Sequence, residues 1–187
     1  MSPRPIIAAI LAATLAACGA PRPAGDAAAP AAAGLPPVQA VPQVDLQRYA
    51  GKWFELARLP GSTRSQCVSD TSLHYLPRDK GGFELIGRCR TAKGVDESDG
   101  SADILPDSGG ARMKVSYLWP FGSEQWVVGL DPNYRWAVVG TPDRRYLWLL
   151  ARSRDLPRAE RDKALAAARE QGYDVDRLED TPHDQGV

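Results

Sequence analysis

The chain has little histidine, little cysteine and no surplus of charge of either sign. Only His74 and His183 occur among 187 residues, and His183 lies in a polar tail. Histidine is the usual metal ligand and the usual base beside a nucleophilic serine, so its scarcity argues against a His-based metal site or a Ser–His triad. No cofactor or metal is expected. Lysine and arginine number 23, aspartate and glutamate 23, and no basic stripe stands out. A nucleic-acid partner would need such a footprint, so none is expected. The apolar run Ile6–Ala13 is too short to span a bilayer.

That run is a targeting segment, with Arg4 as its minimal positive region. It leads into Leu15-Ala16-Ala17-Cys18, which resembles a bacterial lipobox. Small residues before the cysteine fit a narrow peptidase site, and the Cys18 thiol would accept a diacylglyceryl group. The alternative is an ordinary Ala-rich signal peptide cut after Ala17. Several acyl chains anchor far better than one. Gly19 follows the cysteine in place of the Asp that marks inner-membrane retention in many such lipoproteins, which favours the outer membrane. The expected location is the outer membrane, lipid-anchored and facing the periplasm. Ala20–Val41 is almost wholly Ala, Pro and Gly and reads as a tether. It would span roughly 25 Å as a coil and about 75 Å stretched.

With Cys18 acylated, Cys67 and Cys89 remain in an oxidising compartment. Two thiols make one bond or stay free, and the bond is the simpler accounting.

From Leu46 onward, short strand-forming segments alternate with turn chemistry. Eight strands are expected, over Lys52–Arg58, Cys67–Leu76, Gly82–Cys89, Ser101–Leu105, Arg112–Tyr117, Gln125–Leu130, Trp136–Gly140 and Tyr146–Arg152. The period then changes. Pro157–Gln171 is rich in Ala, Arg and Glu, is followed by Gly172, and predicts an amphipathic helix. Sequential strands with short connections predict an all-β fold, an eight-stranded antiparallel up-and-down β-barrel with one C-terminal α-helix on the outside. Such a barrel has no exposed edge and leaves room for one small ligand.

Gly51-Lys52-Trp53 resembles the Gly-x-Trp signature of lipocalins. Asp131-Pro132-Asn133-Tyr134 resembles that family's motif between the sixth and seventh strands, and Arg152 its arginine ending the eighth. The strings Gly51–Pro60 and Pro142–Trp148 are more specific, resembling bacterial outer-membrane lipocalins, relatives of apolipoprotein D. Phe54 stands where many relatives carry Tyr. The chain therefore divides into a lipoprotein signal peptide (1–17), a lipidated cysteine with its tether (18–42), a lipocalin domain (43–181) and a polar tail (182–187).

Topology gives these matches a shared place. If the first strand starts at the closed end, Gly51, Trp53, Asp131, Tyr134 and Arg152 meet at the barrel floor, with the Arg152 guanidinium over the Trp53 indole. That role is structural. Pro60–Gln66, Leu118–Gly122 and Thr141–Arg145 then surround the mouth, and Cys67 and Cys89 fall near-opposite one another at the same end.

The resemblance implies a cavity, the alternative being a solid core. The side chains expected to point inward are Trp126 with Val128, Leu73 with Tyr75, and Met113 with Val115 and Tyr117. Trp136 and Trp148 are possible additions. Glu55 is expected to be a hydrogen-bonded structural acid, since no second acid or base is placed to work with it. The expected function is storage or transport of a fatty acid or lysophospholipid, without catalysis. A lipocalin-type enzyme and a structural envelope lipoprotein are the alternatives. Arg144 and Arg145 are placed to receive a phosphate or carboxylate left at the rim. Trp119 and Phe121, on a mouth loop beside those arginines and Arg64, would meet a membrane, a second copy in a homodimer, or the barrel itself.

Overall fold

Alternation of side chains sets the sheet. In β3 (Phe83–Thr91) Phe83, Leu85 and Cys89 are buried while Glu84 and Arg88 are exposed. In β5 (Arg112–Leu118) Met113 and Val115 are buried and Lys114 is not. The computed structural model describes residues 34–61 and 66–184. The other strands are β1 (Gly51–Arg58), β2 (Ser69–Pro77), β4 (Gly94–Ile104), β6 (Phe121–Leu130), β7 (Trp136–Gly140), β8 (Leu147–Ala151) and a two-residue β9 (Glu179–Asp180). Each pairs antiparallel with its neighbours in the order β2-β3-β4-β5-β6-β7-β8-β1-β9, and β1 also pairs β2. That last pairing closes an eight-stranded up-and-down barrel, the expected fold, with one strand added.

The short helix α1 (Leu46–Tyr49) precedes β1, its first turn capped by the Asp45 carboxylate, which accepts from the Gln47 and Arg48 backbone N–H groups. Helix α2 (Arg158–Glu170) packs on the outside of β6 and β7. It ends in a Schellman arrangement, with Gly172 N–H donating to Arg169 O (2.8 Å) and Tyr173 N–H to Ala168 O (3.1 Å). Gly129 of β6 lets it approach, since a Cβ there would lie 2.9 Å from the Cβ of Ala167.

Two apolar clusters follow. One fills the barrel's inside around Trp53, Tyr75, Phe83, Met113, Val115, Val127 and Leu150. The other lies between α2 and the outer face and includes Val128, Trp136, Val138, Ala164, Ala168 and Tyr173. β7, covered on both faces, is buried throughout.

Several boundaries differ from expectation, that of β6 among them, which begins at Phe121 and not Gln125. β4 begins at Gly94, not Ser101. Asp96, Ser98 and Gly100 face Cys89, Gly87 and Leu85 across the ladder, so its inner positions carry no apolar signal. The tether's last residues are docked. Val38 is buried against the outer cluster, and Val41 N–H donates to Val127 O at 2.8 Å. His183 does not hang free either. Its ring is packed edge-on to Phe54, with Nε2 2.7 Å from the Glu55 carbonyl oxygen.

Candidate functional site

The floor is built from the start of β1. Gly51 adopts φ +92°, a conformation that side chains resist, and this turns the chain from α1 into β1. Trp53 is wholly buried, and its indole N–H donates to Tyr49 O at 2.8 Å. Arg152, just past β8, lies 3.8 Å over the Trp53 ring and donates to the carbonyls of Lys52 (2.9 Å), Arg48 (2.6 Å) and Tyr49 (3.1 Å). Asp131 ties the β6–β7 turn, accepting from the N–H groups of Asn133 and Arg135 and from the Arg135 guanidinium. Those bonds hold its carboxyl below the usual range. Tyr134 accepts from Asp45 N–H at 2.8 Å, beneath the Arg48 guanidinium.

Above this plug lies an aromatic layer. Tyr49 packs 5.1 Å from the rings of both Trp53 and Tyr75, and Tyr75 lies edge-on to Phe83 at 5.4 Å. Burial pushes both phenols well above their ordinary range, so they stay neutral.

Higher still, the inner positions of β3 and β4 carry the small residues Gly87, Ser98 and Gly100. Leu73 pairs with Trp53 and Trp148 with Val139, so both face inward, yet both are only partly buried. The Tyr117 ring lies over Gly100, and the residue is 37 % exposed. Met113, Val115 and Tyr75 complete the set from the sequence that the structure gathers inside.

Two expected wall residues are elsewhere. Trp126 and Val128 belong to the outer cluster, not the lumen. Val127 takes the inward position opposite Val139, and the ladder slips between Val127 and Gly129, so Val128 is an extra residue turned outward. Trp126 pairs with Gly140 on that outer side, where Arg112 lies 5.4 Å from its ring. Trp136 also belongs outside, its N–H donating to Glu160 of α2 at 3.1 Å. Arg144 is not available to a ligand head group. Its Nε donates to Gln171 O at 2.7 Å and its Nη2 to Pro36 O, strapping the N-terminal segment to the end of α2. Arg145 is exposed, 5.6 Å from the Tyr146 ring centre. Cys18 and Arg64 lie outside the described residues.

Near the mouth Cys67 and Cys89 are joined in a disulfide, Cα atoms 5.6 Å apart, as the count of thiols suggested. Sequence reasoning missed the seam beside it. β1 and β2 pair only over Gly51–Phe54. Above that, the segment around β9 fills the gap. Ala57 pairs with Asp180, Thr181 N–H donates to Leu56 O (3.0 Å), and Asp70 N–H donates to Pro182 O (2.7 Å). Glu55, buried at this seam, accepts from Thr181 Oγ1 (2.8 Å) and Arg58 (3.1 Å). No local signal marks such a closure. Among the described residues no group of three His, Cys, Asp or Glu could hold a metal ion.

A floor sealed by Gly51, Trp53 and Arg152 beneath an eight-stranded barrel accords with the family comparison, in which residues 44–183 match the lipocalin-like domain. The chain belongs to the lipocalin family. Outer membrane lipoprotein Blc of Vibrio cholerae is 34 % identical over 149 residues, covering 78 % of this chain and 86 % of that protein. Its namesake in Citrobacter freundii is 33 % identical over 177 residues, 93 % of each chain. Among solved structures, insecticyanin of the tobacco hornworm Manduca sexta superposes with a TM-score of 0.64 at 20 % identity, covering 80 % of this chain and 86 % of that one. Lipocalins are generally binding proteins.

Proposed function

We propose that this lipocalin holds the acyl chain of a fatty acid or lysophospholipid in the upper half of its barrel, storing or carrying it for envelope maintenance. The observation that carries the reading is the set Leu73, Tyr117 and Trp148, which face inward above a sealed floor yet are incompletely buried. Inward apolar groups that the protein leaves partly accessible favour an apolar occupant. A chain of about 15 methylenes gains at most ~12 kcal/mol at ~0.8 kcal/mol per CH₂. Ordering the chain and losing its translation return several kcal/mol, which leaves micromolar to nanomolar affinity. Cys67 and Cys89 are bonded to each other, so neither serves as a nucleophile, and the reading is of binding without catalysis.

The same reading puts the protein on the outer membrane, facing the periplasm, through acylated Cys18. It rests on the Leu15–Cys18 motif and on relatives named as outer membrane lipoproteins. One experiment tests both parts. Mass spectrometry of gently purified protein and of its organic extract should find diacylglyceryl mass on an N-terminal Cys18 and a stoichiometric long-chain fatty acid or lysophospholipid. An empty extract, with no fatty acid taken up on titration, would overturn the binding assignment.

A further inference from the structure

Large apolar side chains exposed among the described residues gather at one end of the barrel. Leu118, Trp119 and Phe121 form the β5–β6 turn and are 70 %, 88 % and 71 % exposed. Val68 and Val95 are exposed beside the first mouth loop and the β3–β4 turn, at the same end. Leu35 is the remaining large one away from the strands, and it too lies there, against Gly172 and Arg144. The floor end exposes none among the described residues.

The tether leaves at this same end. Pro36 is held by Arg144 in the β7–β8 turn, and Gln39 N–H donates to Gln171 Oε1 at 2.7 Å. From there the chain runs toward the floor, where Val44 N–H donates to Gly109 O at 2.8 Å. The described part of the chain therefore begins beside the mouth. Sixteen steps separate Cys18 from Gly34; they would reach about 55 Å stretched and about 20 Å as a coil.

We infer that the mouth of the barrel docks on the lipid bilayer that holds the chain's own anchor, with Trp119 and Phe121 inserted at its interface. The anchor part of this inference rests on the acylation of Cys18 proposed above. Trp and its neighbours suit the head-group boundary, where an apolar body and a polar tip are both satisfied. Lys93 and Arg145 are exposed on the neighbouring mouth turns, Arg145 together with Asp143. A second copy fits less well. A protruding four-residue turn offers a small, convex contact, far from the ~1,000 Å² that a stable protein interface clears. A tether rooted at the mouth also keeps that end near the membrane. Docked in this way, the barrel would take up or release an acyl chain directly from the leaflet, without passing it through water.

The test uses the full-length chain mixed with phosphatidylethanolamine–phosphatidylglycerol vesicles whose acyl chains are brominated near the head group. Bromine quenches indoles only at short range. The expected result is quenching that Trp119→Leu largely removes, and vesicle association at least tenfold weaker for the double variant Trp119→Ser/Phe121→Ser at equal acylation. Fatty-acid affinity should be unchanged in Trp119→Leu, because the Trp119 side chain is 88 % exposed on the turn. Equal quenching in the parent and Trp119→Leu would overturn the docking. So would a dimer in sedimentation that the double variant dissociates without altering quenching. The acyl mass on Cys18 and fatty-acid uptake are read on the same samples, so failure of the anchor or of lipid binding is distinguishable from failure of docking.

Discussion

The Arg152 guanidinium lies 3.8 Å from the centre of the Trp53 ring and spends its donors on the carbonyls of Lys52, Arg48 and Tyr49. One side chain thereby joins the end of β8, the start of β1 and the last turn of α1. It covers a face of the Trp53 indole and satisfies the Arg48 and Tyr49 carbonyls at the end of α1.

Arg152→Met keeps the stem and removes the donors. Loss of the charge-assisted bonds and of the ring contact should cost about 2–3 kcal/mol. Urea unfolding should show a lower midpoint with an unchanged slope. A midpoint equal to the parent's would mean that the floor is held by packing alone.

The two faces of the sheet give a paired test of the ligand wall. Trp148→Ala should weaken fatty-acid binding by about 1–3 kcal/mol, since its ring faces the lumen. Trp126→Ala, altered on the outer face, should leave affinity unchanged. Titration followed by calorimetry reads both. The reverse order of effects would place the ligand outside the barrel.

Alkylation of denatured, unreduced protein should label neither Cys67 nor Cys89. The bond closes 22 residues, so the double variant Cys67→Ser/Cys89→Ser should lose about 3 kcal/mol on loop entropy. Full labelling of both thiols would refute the bond.

Asp131 predicts an acid limb. Hydrogen bonds from Arg135 hold its folded-state pKa below the ordinary carboxylate value. Its contribution is therefore complete above about pH 4, the unfolded value, and is lost as pH falls through the folded one. Asp131→Asn should lower stability at neutral pH and flatten its decline as pH falls below about 4. Parallel pH profiles for parent and variant would show that the β6–β7 turn does not titrate.

Much of this was legible in the sequence, and the exceptions share a cause. The polar and apolar alternation of β5 and the helix from Arg158 are local patterns, and they read correctly. Gly51, Trp53 and Arg152 were legible through their resemblance to lipocalin motifs, and the strand topology then gave those matches one place. Trp126 and Val128 were misread because Trp126, Val127 and Val128 are all apolar. Where α2 covers the sheet from outside, alternation no longer tells inside from outside, and the slip at Val128 erases the remaining parity. The packing of Val38 and His183 was invisible for another reason. Gln39 and Val41, beside Val38, are bonded to Gln171 and Val127, and His183 meets Glu55, all far apart in sequence, and neither the Ala/Pro-rich stretch nor the polar tail differs in composition from chain that stays solvated.

The seam at β1 sets an order of assembly. β1 can zip to β2 as soon as the first hairpin exists, but its other edge waits for Leu147–Ala151, and its upper half waits for Glu179–His183. The first strand made is thus the last to be satisfied. A chain threaded across a membrane from its N-terminus would carry that bare edge for most of its passage, a period in which an unpaired strand invites other strands. A holding chaperone on the far side would therefore be needed most before residue 147 emerges, and least after Thr181 has met Leu56.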